Sequence, residues 1–152
     1  MPTEAMERAA RLLLIFSLLA FAAVVCLGTL RASPAHLVMD TDPVVVQALQ
    51  SFHSHLDSLA WLGAATLGAV LRLLAPTYRG PPWAPRALAP AYATGAVLFP
   101  VAFAAKGVGL RLGVGLLVRL IAPLLASAGG LFLLAAAGCA LVIAWGVVLT
   151  RP

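Results

Sequence analysis

His53, His55 and Asp57 lie within five residues of one another in QSFHSHLDSLAWLG, residues 50–63. Imidazole and carboxylate bind transition metals and carry protons, and imidazole also ligates haem iron. The spacing decides which of these tasks the three can share. Successive residues of an α-helix turn by about 100°, so His53 and Asp57, four apart, lie on one face. Asp57 can then accept from one ring nitrogen of His53, as outer carboxylates do for metal-bound imidazoles. His53 and His55, two apart, point in nearly opposite directions and suit two different partners. His53 is the first candidate ligand and His55 the second, with Asp57 completing a candidate metal set. Two plainer readings stand beside this one: a proton or ligand site, and a polar cap where a helix enters the headgroup layer.

A second group lies just upstream in RASPAHLVMDTDPVVVQALQ, residues 31–50. His36 and Met39 are candidate axial or copper ligands, since His/Met ligation holds haem iron and both donors suit copper. Asp40 and Asp42 make this the acidic segment of the protein. Asp42 before Pro43 predicts a helix start, an N-cap residue followed by proline in the first turn.

The elements that must position these groups are membrane helices. Of the 152 residues, 62% are hydrophobic and 10% charged, with a mean hydropathy of +1.04; soluble proteins carry about 25% charged residues. Leu12 to Leu30 contains no charge, and about 20 such residues cross a bilayer. That length exceeds the apolar core of a cleaved signal peptide, so a retained span is expected. The predicted architecture is all-α, an integral membrane four-helix bundle in one domain over residues 1–152, with spans near 11–30, 48–75, 91–112 and 120–149. TYRGPPWAPRALAP, residues 77–90, reads as a proline-rich connector with Tyr78 and Trp83 at the interface. Pro100 predicts a kink in the third span, which membrane bundles tolerate. Gly129, Gly130, Gly138 and Gly146 supply small residues for close helix contact in the fourth.

Charge sets the expected partners and orientation. Ten Lys and Arg oppose five Asp and Glu, for a net charge of +5. The basic residues stand singly at the ends of apolar runs, which points to membrane-surface anchoring and against nucleic acid. Arg8, Arg11, Arg72, Arg79, Arg86 and Arg151 place both termini in the cytoplasm of what reads as a bacterial inner membrane protein. Lys106, Arg111 and Arg119 fall outside, against the rule, and Lys106 reads as a snorkelling residue. Cys26 and Cys139 lie in apolar runs and form no Cys-x-x-Cys motif, which argues against a zinc knuckle or covalent haem. No Gly-x-Ser-x-Gly, P-loop or Gly-x-Gly-x-x-Gly signature occurs, so an enzymatic role stays open.

His53-Ser54-His55-Leu56, followed by Leu59-Ala60-Trp61-Leu62-Gly63, resembles one helix of the catalytic subunit of haem-copper oxidases and nitric oxide reductases. In that family a His-x-His pair serves two different haem irons, and the helix continues in a similar Leu-Gly-Trp-like stretch. The resemblance covers roughly 20 of the 152 residues, and the family's twelve spans and copper ligands have no room here. Asp57 and Ala60 depart from the residues usual at those places. The resemblance implies a small four-span relative, with haem b or copper at an extracytoplasmic His cluster for electron transfer or gas sensing. Bis-His ligation would then need His36, or a second copy in a homodimer. The alternative is a non-catalytic accessory or assembly subunit of a larger membrane complex, with no cofactor.

Overall fold

The computed structural model describes residues 1–32 and 43–148, and among these residues the chain is helical, without a strand. Four helices are each long and apolar enough to cross a membrane. Helix α1 is Pro2–Ala32. Helix α2 is built of three consecutive stretches: α-helical Pro43–His55, π-helical Leu56–Gly63 and α-helical Ala64–Leu74. Helix α3 is Trp83–Leu112, and α4 joins a π-helical turn, Leu117–Ile121, to α-helical Ala122–Val148. The all-α membrane bundle expected from composition is the fold observed.

Two helices begin earlier than predicted. Helix α1 starts at Pro2 and not near residue 11, because the polar start MPTEAMERAAR is itself amphipathic. Its Ala5, Met6, Ala9 and Ala10 are buried while Glu4, Glu7, Arg8 and Arg11 face outward. Helix α3 starts at Trp83 and not near 91, so the connector shortens to residues 75–82. Pro85 falls in the first turn, where backbone N–H groups have no intrahelical acceptor and proline loses nothing. Pro90 and Pro100 lie deeper in α3, which continues through both. At its far end α3 stops on Gly113, whose φ of 67° is the one left-handed conformation among the described residues. The Val114 N–H bonds to the Gly109 carbonyl at 2.9 Å, closing the helix in the manner of a Schellman cap.

The helices alternate in direction, as the largest core cluster shows. It joins Met6 and Leu13 of α1, Leu71 of α2, Leu88 of α3 and Ile143 and Val147 of α4, so the start of α1, the end of α2, the start of α3 and the end of α4 share one end of the bundle. Tyr78 plugs that end. It is fully buried, its hydroxyl donates to the Pro81 carbonyl at 2.8 Å, and its ring lies against Gly146. Trp83 is 55% exposed, so the expected interfacial pair divides into one buried plug and one surface ring.

Size sorts the side chains. The interior is rich in alanine, including Ala9, Ala64, Ala84 and Ala96, whereas Leu18, Leu19, Leu73, Leu134, Leu141 and Trp145 face outward. In lipid there is no hydrophobic gain from burying leucine, and helices associate by close backbone approach between small residues. Helices α3 and α4 meet this way at Gly95 and Gly129. A Cβ on Gly95 would lie 2.8 Å from the Gly129 carbonyl oxygen, and one on Gly129 would lie 2.7 Å from the Phe99 nitrogen. Of the four glycines expected to suit close helix contact, Gly129 and Gly146 are closely approached within the bundle, whereas Gly130 and Gly138 meet nothing within 4 Å.

Helix α2 changes partner along its length. Its first stretch packs on α3, its last packs on α1, and the π-helical stretch between them touches both. A π turn closes i→i+5 bonds and holds about one more residue than an α turn. The side-chain rows after Gly63 are therefore offset from those before His55, and the helix presents a different face to the bundle.

A divided histidine pair as candidate functional site

Span α2 reaches its apolar length from Val46, so His53 and His55 lie roughly 10 Å along the helix axis from that start at ~1.5 Å per residue. Both fall inside Val46–Leu74, a helix long and apolar enough to cross a membrane. The two rings take opposite sides, as their spacing predicts. The Cε1 of His53 lies 4.0 Å from the point a Cβ on Gly28 would occupy, which puts this imidazole beside the last turns of α1. His55 faces α3, its ring stacked on Phe103 at 4.8 Å between centroids and 16° between planes. Phe99 lies 5.4 Å away and tilted, and the two phenylalanines meet edge to face at 5.7 Å.

A backbone bond sets the orientation of His55. Its Nδ1 lies 2.7 Å from the Ser51 carbonyl oxygen, four residues back on its own helix. A carbonyl can only accept, so Nδ1 carries the proton and a neutral ring holds its lone pair on Nε2. That nitrogen has no hydrogen-bond partner among the described residues, and it is not sealed inside, since no buried side-chain nitrogen or oxygen there is left unpaired. A fixed Nδ1–H with a free Nε2 is the arrangement that metal-ligating imidazoles use.

Sequence reasoning placed the oriented ring at His53. Asp57 was expected to hold His53, yet no hydrogen bond or ion pair joins them among the described residues. Asp57 lies in the π-helical stretch, where the α-helical i, i+4 relation on which the expectation rested no longer applies. The oriented ring is His55. Nor do His53, His55 and Asp57 converge, and no group of three or more His, Cys, Asp or Glu able to hold a metal ion occurs among the described residues. His36 and Met39, with Asp40 and the predicted cap Asp42, lie outside the described residues.

The neighbouring π-helical stretch carries a tie that the sequence did not announce. The Tyr92 hydroxyl of α3 donates to the Leu59 carbonyl at 2.8 Å. At the end of the stretch the Ala64 N–H bonds to Trp61, and not five residues back to Leu59, so the hydroxyl supplies this carbonyl with a donor. Gly63 makes room for it: a Cβ there would collide with the Tyr92 hydroxyl. On the other side of α2, Trp61 packs on Phe21 of α1 at 4.7 Å between centroids, while Ala20, Ala60 and Ala96 bring α1, α2 and α3 together at the same level. Phe99, Phe103 and Tyr92 went unrecognised because one residue in three or four along α3 is large, and nothing local says which of them meets α2. The hydroxyl of Tyr92 in an apolar run was the one available signal.

Comparison of the chain with protein-family models, with curated proteins and with solved structures gives no match in any of the three.

Proposed function

We propose that this protein is a small integral membrane component that offers His55 as an axial ligand to a metal-centred cofactor, for electron transfer or gas sensing. The supporting observation is the His55 ring itself, held by the Ser51 carbonyl through Nδ1 and stacked on Phe103, with Nε2 unpartnered among the described residues. One imidazole presented in this way would serve as a ligand to the iron of haem b. A single ion held by His53, His55 and Asp57 does not fit, since the three do not gather. The second ligand would be His36 or Met39, or His55 of a second copy in a homodimer; His36 and Met39 also serve a copper version of the site. A bound haem would supply one-electron or gas-binding chemistry. This chain's part is to orient the ring and to exclude water with Phe99 and Phe103.

The reading includes a bacterial inner membrane location with cytoplasmic termini, supported by five arginines, Arg8, Arg11, Arg72, Arg79 and Arg86, toward the Met6–Val147 end of the bundle among the described residues. The test is the absorbance spectrum and metal content of the purified protein. A Soret band, or stoichiometric copper, that His55→Ala removes is the expected result. No Soret band and no bound metal would reject the reading.

The second reading, an accessory subunit of a larger complex, is favoured by α4. Its outer face carries Gly130 and Gly138 with nothing within 4 Å, a strip on which a partner's helix could pack closely. A colourless, metal-free preparation that co-purifies with a larger membrane assembly would select it.

A further inference from the structure

No Asp or Glu follows Asp57 in this sequence, and Lys106 is its one lysine. Lys106 stands at the mouth of a cleft of about 230 Å³ between α3 and α4. Phe103 forms one wall, and Val118, Ala122, Pro123 and Ala126 form the other. Its origin is local. Pro123 has no N–H to give the Arg119 carbonyl, and the chain there takes a π turn in which the Ala122 N–H bonds to the Leu117 carbonyl. The helices are drawn tightly together at Gly95 and Gly129, and again at Gly109 against Leu117 and Val118, and between these two contacts the small side chains of Ala102, Ala122 and Ala126 leave the space unfilled. The cleft is smaller than the ~300–1,000 Å³ of a drug-sized ligand pocket, and its walls offer no polar side chain other than the lysine.

We propose that this cleft seats the head-proximal part of one acyl chain of an anionic phospholipid whose phosphate pairs with the Lys106 ammonium. An apolar slot with one cation at its mouth matches an amphiphile with an anionic head, and it matches neither a polar solute nor a zwitterion lacking net charge. Among the described residues Lys106 forms no ion pair, and its side chain is exposed, so its charge is available to a head group at the mouth. A lysine that merely snorkels needs no slot beside it. The inference does not rest on the cofactor reading: His55 is not among the residues that line the cleft, and the variants that test it leave His55 and Phe103 unchanged.

The experiment is native mass spectrometry of the detergent-solubilised full chain, titrated in parallel with dioleoyl phosphatidylglycerol and dioleoyl phosphatidylcholine. One phosphatidylglycerol should be retained in preference to phosphatidylcholine. Lys106→Gln should reduce that preference about fivefold, the effect of one lysine near an anionic head, and Lys106→Arg should restore it. Ala126→Leu, which fills the cleft without touching the charge, should lower retention of both lipids. Equal retention of the two lipids by the unaltered chain would overturn the proposal, as would insensitivity to Lys106→Gln. Displacement of the lipid by inorganic phosphate, with Ala126→Leu inert, would overturn it too by reducing the site to a bare anion contact.

Discussion

The Tyr92 hydroxyl reaches across from α3 to the Leu59 carbonyl at 2.8 Å, and the missing side chain of Gly63 is what lets it arrive. Tyr92→Phe leaves that carbonyl without its donor and should lower bundle stability by about 1–3 kcal/mol, the cost of an unpaired buried polar group. Gly63→Ala should destabilise as well, by driving a methyl into the hydroxyl. Combined, the two changes should cost less than their sum, because removing the hydroxyl removes the collision. A double-mutant cycle by denaturant titration in mild detergent measures this coupling, and strict additivity would separate Gly63 from Tyr92.

The two histidines should respond unequally to substitution. His55→Ala is expected to abolish cofactor or copper retention, while His53→Ala should leave most of it. Asp57→Asn, with no bond to His53 to lose, should change retention less than the roughly 10–100-fold typical of a carboxylate supporting a ligand. Absorbance and metal content of the three variants check this; loss on His53→Ala alone would reverse the assignment.

Gly129 should tolerate nothing larger. A Cβ there meets the backbone of Phe99 and not a movable side-chain tip, so Gly129→Val must push α4 off α3. A cost of about 1–3 kcal/mol, toward the upper end of overpacking effects, is expected. Gly138→Val, on the open face of the same helix, should cost far less. Comparing the unfolding midpoints of the two variants tests whether α4 is held through that single face.

Tyr78 confers a dependence on alkaline pH. Burial pushes its phenol pKa above the ordinary 10.0, so between about pH 10 and the raised value the unfolded chain loses this proton while the folded chain keeps it. Its contribution to stability is therefore intact below pH 10 and falls as pH rises beyond it. Tyr78→Phe should flatten that part of the decline in melting temperature. At neutral pH it should cost about 0.5–1.5 kcal/mol through the lost bond to Pro81.

The sequence by itself determined the class of the molecule. Long apolar runs, of which Leu12–Leu30 carries no charge at all, have only one way to satisfy their backbone in lipid, as helices, and four long apolar runs make a four-helix membrane protein. It also determined that His53 and His55 part company, because a 100° turn per residue allows nothing else. Tertiary structure decided which histidine is held. The ranking of His53 over His55 assumed an unbroken α-helix through Asp57, whereas residues 56–63 form a π-helical stretch whose Leu59 carbonyl is bonded by a tyrosine 33 residues away. Likewise Pro85 looked like part of a connector, and only the position of Trp83 as first residue of α3 makes it a first-turn proline. Local periodicity states which residues share a face of one helix. It does not state which neighbour that face meets, because the identity of the neighbour depends on where the helices approach most closely, at pairs such as Gly95 and Gly129 that are far apart in the chain.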